Sequence, residues 1–529
     1  MHRWNCHCTN HIMAIWQRVV QEHWLYKQIR QIESSFKRIT IERLTYLDYA
    51  INFNHKYNQF NIMKNNFKYI IAILVIGFAS CTKADETKDL WQAVIVPASP
   101  ISESAPLSGA IKGTMLAGKT YTVSGDIFVN AGDTLIIQPG VTVNFTGTGG
   151  VPVGLGVKGT LLSLGTKEAP INLTYPGVTR TDNFGANPDT DPALKGKWTG
   201  VIGATTCPLI VIKWTHIDFG GATISSAIKS FTGGSSPYSV YFANPDGSFI
   251  LEDSWIYGSV DDPFRINGGK IHVMRNTFEK CGYTGGEAMN SKAGTIGDFA
   301  YNLCVGMATN GPKVSNINVA VGKPGSNVRI YNNTMINCGF RRSAAGRGGS
   351  INFEEGAGGM AYNNLIVNCK FGLRIVNNPI ADTANIKYGY NFYYADSLSV
   401  ASQFIPSLTV STAISKAMET DIPKPSTYLP AGWVIGQAYT ANAAVVGANN
   451  PQFINAPVPL PAGLMLRDIA VVGTSNYALK PNSPCIGAGF TGFSPRADVI
   501  QDLRLGATEI TPPGKDIGCY QSNGRGNQH

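Results

Sequence analysis

Charge is scarce in this chain: only 15% of its 529 residues are Asp, Glu, Lys or Arg. So little charge beside 58 Gly suits stacked strands joined by tight turns. Long apolar runs are missing as well, and the clearest one, residues 70–78, is too short to cross a bilayer as a helix. The ten Cys are not spaced as a disulfide framework. There is no Gly-x-Ser-x-Gly, no zinc-ligand spacing and no phosphate loop, which removes the usual signatures of a serine hydrolase, a zinc enzyme and a P-loop enzyme. His216 and His272 have no carboxylate in register in the sequence pattern, and His272 is expected on an outer strand face. The net charge is +9, but residues 1–62, Lys64 and Lys68 carry all except +3 of it. The remainder has no basic footprint, so no nucleic-acid partner is expected.

What is present is repetition. Asp253, Asn276, Asn302, Asn333, Asn364 and Asn391 recur at intervals of 23 to 31 residues, each after a short apolar run and most before another. Strand, polar turn, strand at such a period is the pattern of a solenoid. A second series runs out of phase: Arg265-Ile266-Asn267, Met289-Asn290, Asn316-Ile317-Asn318, Ile351-Asn352 and Arg374-Ile375. Leu is not periodic, and the runs are short and bounded by Gly and Asn, which argues against leucine-rich and helical repeats. Asn tolerates the left-handed backbone of tight turns, and its side chain can hydrogen-bond from coil to coil. The expected fold is all-β: a single-stranded right-handed parallel β-helix with lateral loops and a C-terminal cap. Cys281, Cys338 and Cys369 each stand five residues after a ladder Asn, so they are expected as buried, stacked thiols.

Residues 63–81 have a basic start, an apolar core and Ala-Ser-Cys81 at the end, the layout of a bacterial lipoprotein signal peptide. Residues 1–62 then lie upstream of the functional start and are expected to be missing from the mature protein, which begins at a lipidated Cys81. Residues 82–108 read as a tether, 109–395 as the β-helix, 396–476 as irregular insertions with the last coils, and 477–521 as the capping segment. Residues 231–245 are expected to form a lateral loop. Asp189-Thr-Asp191, in a loop over residues 176–196, offers carboxylates to Ca²⁺, but such acidic turns are common in solvated loops, and no metal ligand is assigned.

Several segments are similar to known families. Gly132-Asp-Thr-Leu-Ile-Ile-Gln-Pro-Gly140 and Gly165-Thr-Lys-Glu-Ala-Pro-Ile171 resemble the opening coils of secreted bacterial β-helix proteins. Ser483-Pro-Cys-Ile-Gly-Ala-Gly489, Asp502-Leu-Arg504 and Asp516-Ile-Gly-Cys-Tyr520 resemble their choice-of-anchor closing segment, with Gln521 in place of the usual acidic residue. Lys83, Asp85 and Glu86 resemble the export signal of Bacteroidetes surface lipoproteins, interrupted by Ala84. These resemblances imply a monomer exported to the outer membrane, facing the cell surface and held to it only by the lipid.

If Ile266, Met289, Ile317, Ile351 and Ile375 face the core, then Arg265, Asn267, Asn290, Lys292, Asn316, Asn318, Asn352, Glu354 and Arg374 form one outward polar stripe. A wall of amides and cations suits sugar hydroxyls and carboxylates, so the expected partner is an acidic extracellular polysaccharide, bound or cleaved. Asp261-Asp-Pro-Phe-Arg-Ile266 resembles the paired-carboxylate strand of pectin-type glycoside hydrolases, although that family's Asn-x-Asp, Gly-His-Gly and Arg-x-Lys companions are absent. Glu287-Ala-Met-Asn-Ser-Lys292 resembles the Lys-bearing coil of the alginate lyase and chondroitinase B family, without its Arg-His-Gly. That similarity implies Lys292 as the base of a β-elimination, with Arg265 neutralising a uronate carboxylate in place of Ca²⁺. Arg341-Arg-Ser-Ala-Ala-Gly-Arg-Gly-Gly349 beside the stripe either clamps an acidic polymer or pairs with Glu354 and Glu355. An adhesin or structural stalk is the alternative of another class.

Overall fold

The computed structural model describes residues 99–344, 348–376, 381–397, 400, 450–496 and 510–529. The upstream segment, the signal peptide with Cys81, most of the tether, residues 401–449 and Asp502-Leu-Arg504 lie outside the described residues.

Each coil is built from three strands, one more than the two sequence series imply. Ladder A stacks strands from Gly113–Met115 through Ser248–Glu252, Lys270–Met274, Ile296–Ala300, Asn327–Tyr331 and Gly358–Tyr362 to Ile386–Gly389, ten parallel strands among the described residues. Ladder B contains Trp255–Ser259, Thr277–Cys281, Leu303–Val305, Thr334–Ile336, Leu365–Val367 and Phe392–Tyr394. Ladder C contains Val240–Phe242, Phe264–Asn267, Glu287–Lys292, Asn310–Ser315, Ile351–Glu354 and Leu373–Ile375. B and C form one 19-stranded sheet because Thr120–Val129 pairs with a strand of each. The chain is a parallel β-helix. Residues 231–245 are not wholly a loop, since Val240–Phe242 is a ladder C strand.

The recurrent Asn stack along the corner between A and B. Asn276 Nδ2 donates to Asn302 Oδ1 at 2.9 Å, Asn302 to Asn333 at 3.1 Å, Asn333 to Asn364 at 2.9 Å and Asn364 to Asn391 at 2.9 Å. Each Oδ1 also accepts the backbone N–H of the Asn in the coil before it. All five side chains are fully buried, where an unpaired amide would be costly. The left-handed backbone expected of these Asn belongs to their predecessors: Arg275, Tyr301, Asn332, Asn363 and Tyr390 have φ between 51° and 60°. Asp253 is such a predecessor, and Ser254 fills the ladder position in its coil, donating its N–H to Asn276 Oδ1 at 3.0 Å. Cys281, Cys338 and Cys369 are free and buried, as their repetition with the coil predicts.

The described part of the C-terminal segment touches the last coil at Tyr390, Phe392 and Tyr394 and otherwise runs back along the flank over ladder B, with Ser494 and Arg496 reaching ladder A. Thr334 Oγ1 accepts the N–H of Cys519 at 3.0 Å, and Asn527 Nδ2 reaches the carbonyl of Asn276 at 2.9 Å. The cause is legible in the strands: Leu303-Cys-Val305, Leu365-Ile-Val367 and Phe392-Tyr-Tyr394 do not alternate. Their outer residues join Phe453, Tyr477, Cys485 and Ile517 in one apolar cluster, and strands apolar on both faces need a second cover.

Candidate functional site

Ladder C presents the predicted wall, with a shifted register. Arg265, Asn290, Lys313, Asn352 and Arg374 are successive ladder partners, and Asn267 stands beside Lys292. In the third coil the wall strand is Lys313-Val314-Ser315. Ile317, expected in the core, is 39% exposed. Asn316 leaves the stripe, its Oδ1 accepting the N–H of Ser326 at 2.8 Å, and Asn318 lies in the same loop with φ 62°. Both tripeptides read polar-apolar-polar, so pattern alone could not choose; the backbone pairing with Asn290 and Asn352 does.

The stripe is also shorter than expected. Arg374 is buried, donating to the carbonyl of Gly348 at 2.6 Å. Gly349 sits so close over Asn352 and Asn310 that a Cβ there would lie 2.4 and 2.9 Å from their Oδ1 atoms. Glu354, opposite Ser315, is half-buried at the strand end. In the basic loop, the Arg341 guanidinium donates to the carbonyls of Gly282, Cys281 and Gly306, fastening the loop to the corner, while Arg342 lines an open pocket and Arg347 lies outside the described residues.

What stays open is a pocket of about 190 Å³ lined by Asp261, Arg265, Gly285, Glu287, Asn290, Lys292, Thr309, Lys313 and Arg342. Lys292 and Arg265, expected to act together, do share it. Lys313 was missed because the wrong tripeptide was aligned, and Glu287 because nothing local marks it as a partner of Asp262. Asp261, Asp262 and Glu287 bring a carboxylate oxygen each within 4.8 Å of one another. Lys313 Nζ lies 2.9 Å from Glu287, and Arg265 Nε lies 3.3 Å from Asp262. Asp262 further accepts the Glu287 N–H at 2.8 Å and Asn290 Nδ2 at 2.9 Å.

Burial, the repulsion of Glu287 and a shared hydrogen bond push the Asp262 carboxyl well above its usual range. Burial opposes the ionisation of Glu287 too, yet Lys313, the proton of Asp262 and Arg265 together hold it below that range. Asp262 is therefore the protonated member of the pair and Glu287 the ionised one. Since both oxygens of the fully buried Asp262 are engaged, Asp261 and Asp262 do not stand as an exposed acid and base, as the pectin-type resemblance implies. Burial, with Lys313 and Arg265 nearby, lowers the Lys292 pKa. The Arg265 guanidinium carbon lies over the Tyr238 ring, 4.3 Å from its centre. Buried acceptors at Asn290 Oδ1, Thr309 Oγ1, Asn310 Oδ1 and Asn352 Oδ1 have no protein partner.

Two other sites can be settled by geometry. His272 does have one carboxylate in register, Asp298 on the next strand, and a second, Glu252 on the preceding strand, reaches it diagonally with Oε1 2.5 Å from Nε2. All three are buried on the outer face of ladder A, where the Arg496 N–H caps Asp298 at 3.1 Å. Asp189 and Asp191 do not converge on a cation, for Asp191 binds Lys280 at 3.0 Å and Asp189 accepts from the Tyr283 hydroxyl at 2.7 Å.

No family model matches the chain, and no curated protein matches it significantly.

Proposed function

We propose that the charged pocket on ladder C binds a carboxylate-bearing sugar of an acidic polysaccharide, on a monomer lipid-anchored through Cys81 at the cell surface. One observation carries the reading. Arg265, Lys292, Lys313 and Arg342 line a single pocket in which the Asp262–Glu287 pair retains a proton. Even with Asp261 and Glu287 both ionised, the cations lining the pocket outnumber its anions, an excess that an anionic ligand would reduce. Buried charge is costly to keep for stability alone, because apolar packing of similar volume usually does as well. A sugar acid would supply a carboxylate for the cations and hydroxyl donors for the unpartnered Asn290 and Thr309 oxygens. A stalk has no use for a concave, cation-lined site.

Cleavage is the second reading, favoured by Lys292. Burial and the neighbouring Lys313 and Arg265 lower the Lys292 pKa, the direction a general base needs. It would take the proton α to the uronate carboxylate while Arg265 steadies the developing negative charge; the electron pair forms the C4–C5 double bond and expels the C4 oxygen.

The test is a panel of uronate polymers, with and without Ca²⁺, run by affinity electrophoresis and by absorbance of the unsaturated product on the full chain. Retention that weakens in Arg342→Ala supports binding. Product formation lost in Lys292→Ala, with retention kept, supports the lyase. Silence in both assays would leave the stalk.

A further inference from the structure

A second pocket adjoins the charged one. It measures about 230 Å³ and is lined by Thr205, Tyr241, Ala243, Pro245, Asn267, Ala293, Ile317, Asn318 and Ala320. The row Asn267–Lys292 separates the two, Lys292 facing the charged pocket and Asn267 this one. The two pockets therefore meet at this pair of neighbouring strands. Residues 316–325 form the outer rim, held by the Ala293 N–H on the Ile317 carbonyl at 3.1 Å and by the ion pair of Lys323 with Asp246. Most of the lining is small and apolar, and the rim exposes Ile317, Val319 and Val321.

Size decides what kind of group fits. The volume greatly exceeds the ~30 Å³ share of one water and falls below the ~300 Å³ of a complete small-molecule site. It suits a substituent of a larger ligand. The apolar lining turns away sulfate or a second carboxylate, and a bare hydroxyl would leave it wet.

Hydrogen bonding narrows the class further. Asn267 Nδ2 donates to the Tyr241 hydroxyl at 2.9 Å. That leaves the Tyr241 proton as a donor, and Asn267 Oδ1 as an acceptor without a protein partner. If the amide is turned over, the hydroxyl donates to Oδ1, and Nδ2 and the hydroxyl lone pair are left instead. Either way the pair offers one donor and one acceptor beside a methyl-sized apolar lining. An acetamido group has the complement: one N–H, one carbonyl and one methyl. An ester lacks the N–H.

We propose that this pocket is a subsite for the N-acetyl group of an amino sugar next to the sugar acid in the charged pocket. The ligand would then alternate uronate with N-acetylhexosamine. This rests on the acidic-polysaccharide reading above.

The test compares three probes on the full chain by affinity electrophoresis and calorimetry: hyaluronan, its N-deacetylated form, and alginate, which has uronate but no amino sugar. Hyaluronan is expected to bind on the order of tenfold more tightly than either, the value of one well-placed methyl in an apolar pocket. Ala320→Leu, at an exposed rim position, should fill the pocket and abolish that preference while leaving alginate binding unchanged. Tyr241→Phe should reduce the preference in the same direction. Equal affinity for all three probes, or a preference surviving Ala320→Leu, overturns this inference and leaves the parent reading standing. Binding to none of them overturns both.

Discussion

Replacing Asn333 by Ala removes four hydrogen bonds from the middle of the buried stack. Its Oδ1 accepts from the N–H and Nδ2 of Asn302 at 2.9 and 3.1 Å, and its Nδ2 donates to the Phe299 carbonyl and to Asn364 Oδ1 at 3.0 and 2.9 Å. Two of the four partners keep another contact. Asn302 Nδ2 still reaches the Val273 carbonyl, and Asn364 Oδ1 still accepts the residue-333 N–H. The Asn302 N–H loses its acceptor and the Phe299 carbonyl loses this donor, both in a region closed to water. At ~1–3 kcal/mol for each buried group left unmade, the expected loss is about 4 kcal/mol. Urea unfolding should show a lower midpoint at unchanged slope, and hydrogen exchange should show the Asn302 amide losing protection. Lys387→Ala, on an exposed ladder A position, is the control. If Asn333→Ala costs under ~1 kcal/mol, no more than a surface change, the stack does not carry the stability assigned to it.

Two further predictions concern titration. Burial raises Glu279 to about 7 and Asp218 and Asp298 to about 6. The folded state then holds protons that the unfolded state releases near pH 4, so the stability they contribute is complete below that pH and is lost as pH rises towards 7. Glu279→Gln should flatten the fall in urea midpoint between pH 5 and 8; an unaltered slope refutes the assignment. Lys313→Met breaks the 2.9 Å contact with buried Glu287 and should cost ~3–5 kcal/mol at pH 8. Losing the cation raises the Glu287 pKa, since burial then opposes its charge with less compensation, so part of that loss should return on acidification to pH 5. A pH-independent loss would point to packing instead.

The fold was legible because a solenoid repeats its constraint in every coil. The Asn column, the apolar runs and the Cys column are each seen several times, and one misaligned member does not hide the rest. The site was legible only in part. Arg265, Asn267, Asn290 and Lys292 lie on strands whose alternation is unambiguous, and they meet as expected. The third coil offers two equivalent tripeptides, and the choice was lost there. Arg374 and Asn352 were read as surface because alternation reports which side of a strand a residue occupies, not what covers that side.

The sequence by itself determined the class of fold and the side of the sheet on which each regular strand carries its polar residues, since both follow from short-range periodicity. Only the tertiary structure decided which wall residues remain open, which carboxyl keeps its proton, and that the tail lies along a flank. Those outcomes depend on groups tens to hundreds of residues apart, such as Glu287 beside Asp262, Gly348 over Arg374, and Asn527 against Asn276. Their energies arise from shared burial, and no local pattern records which distant segment will exclude the water.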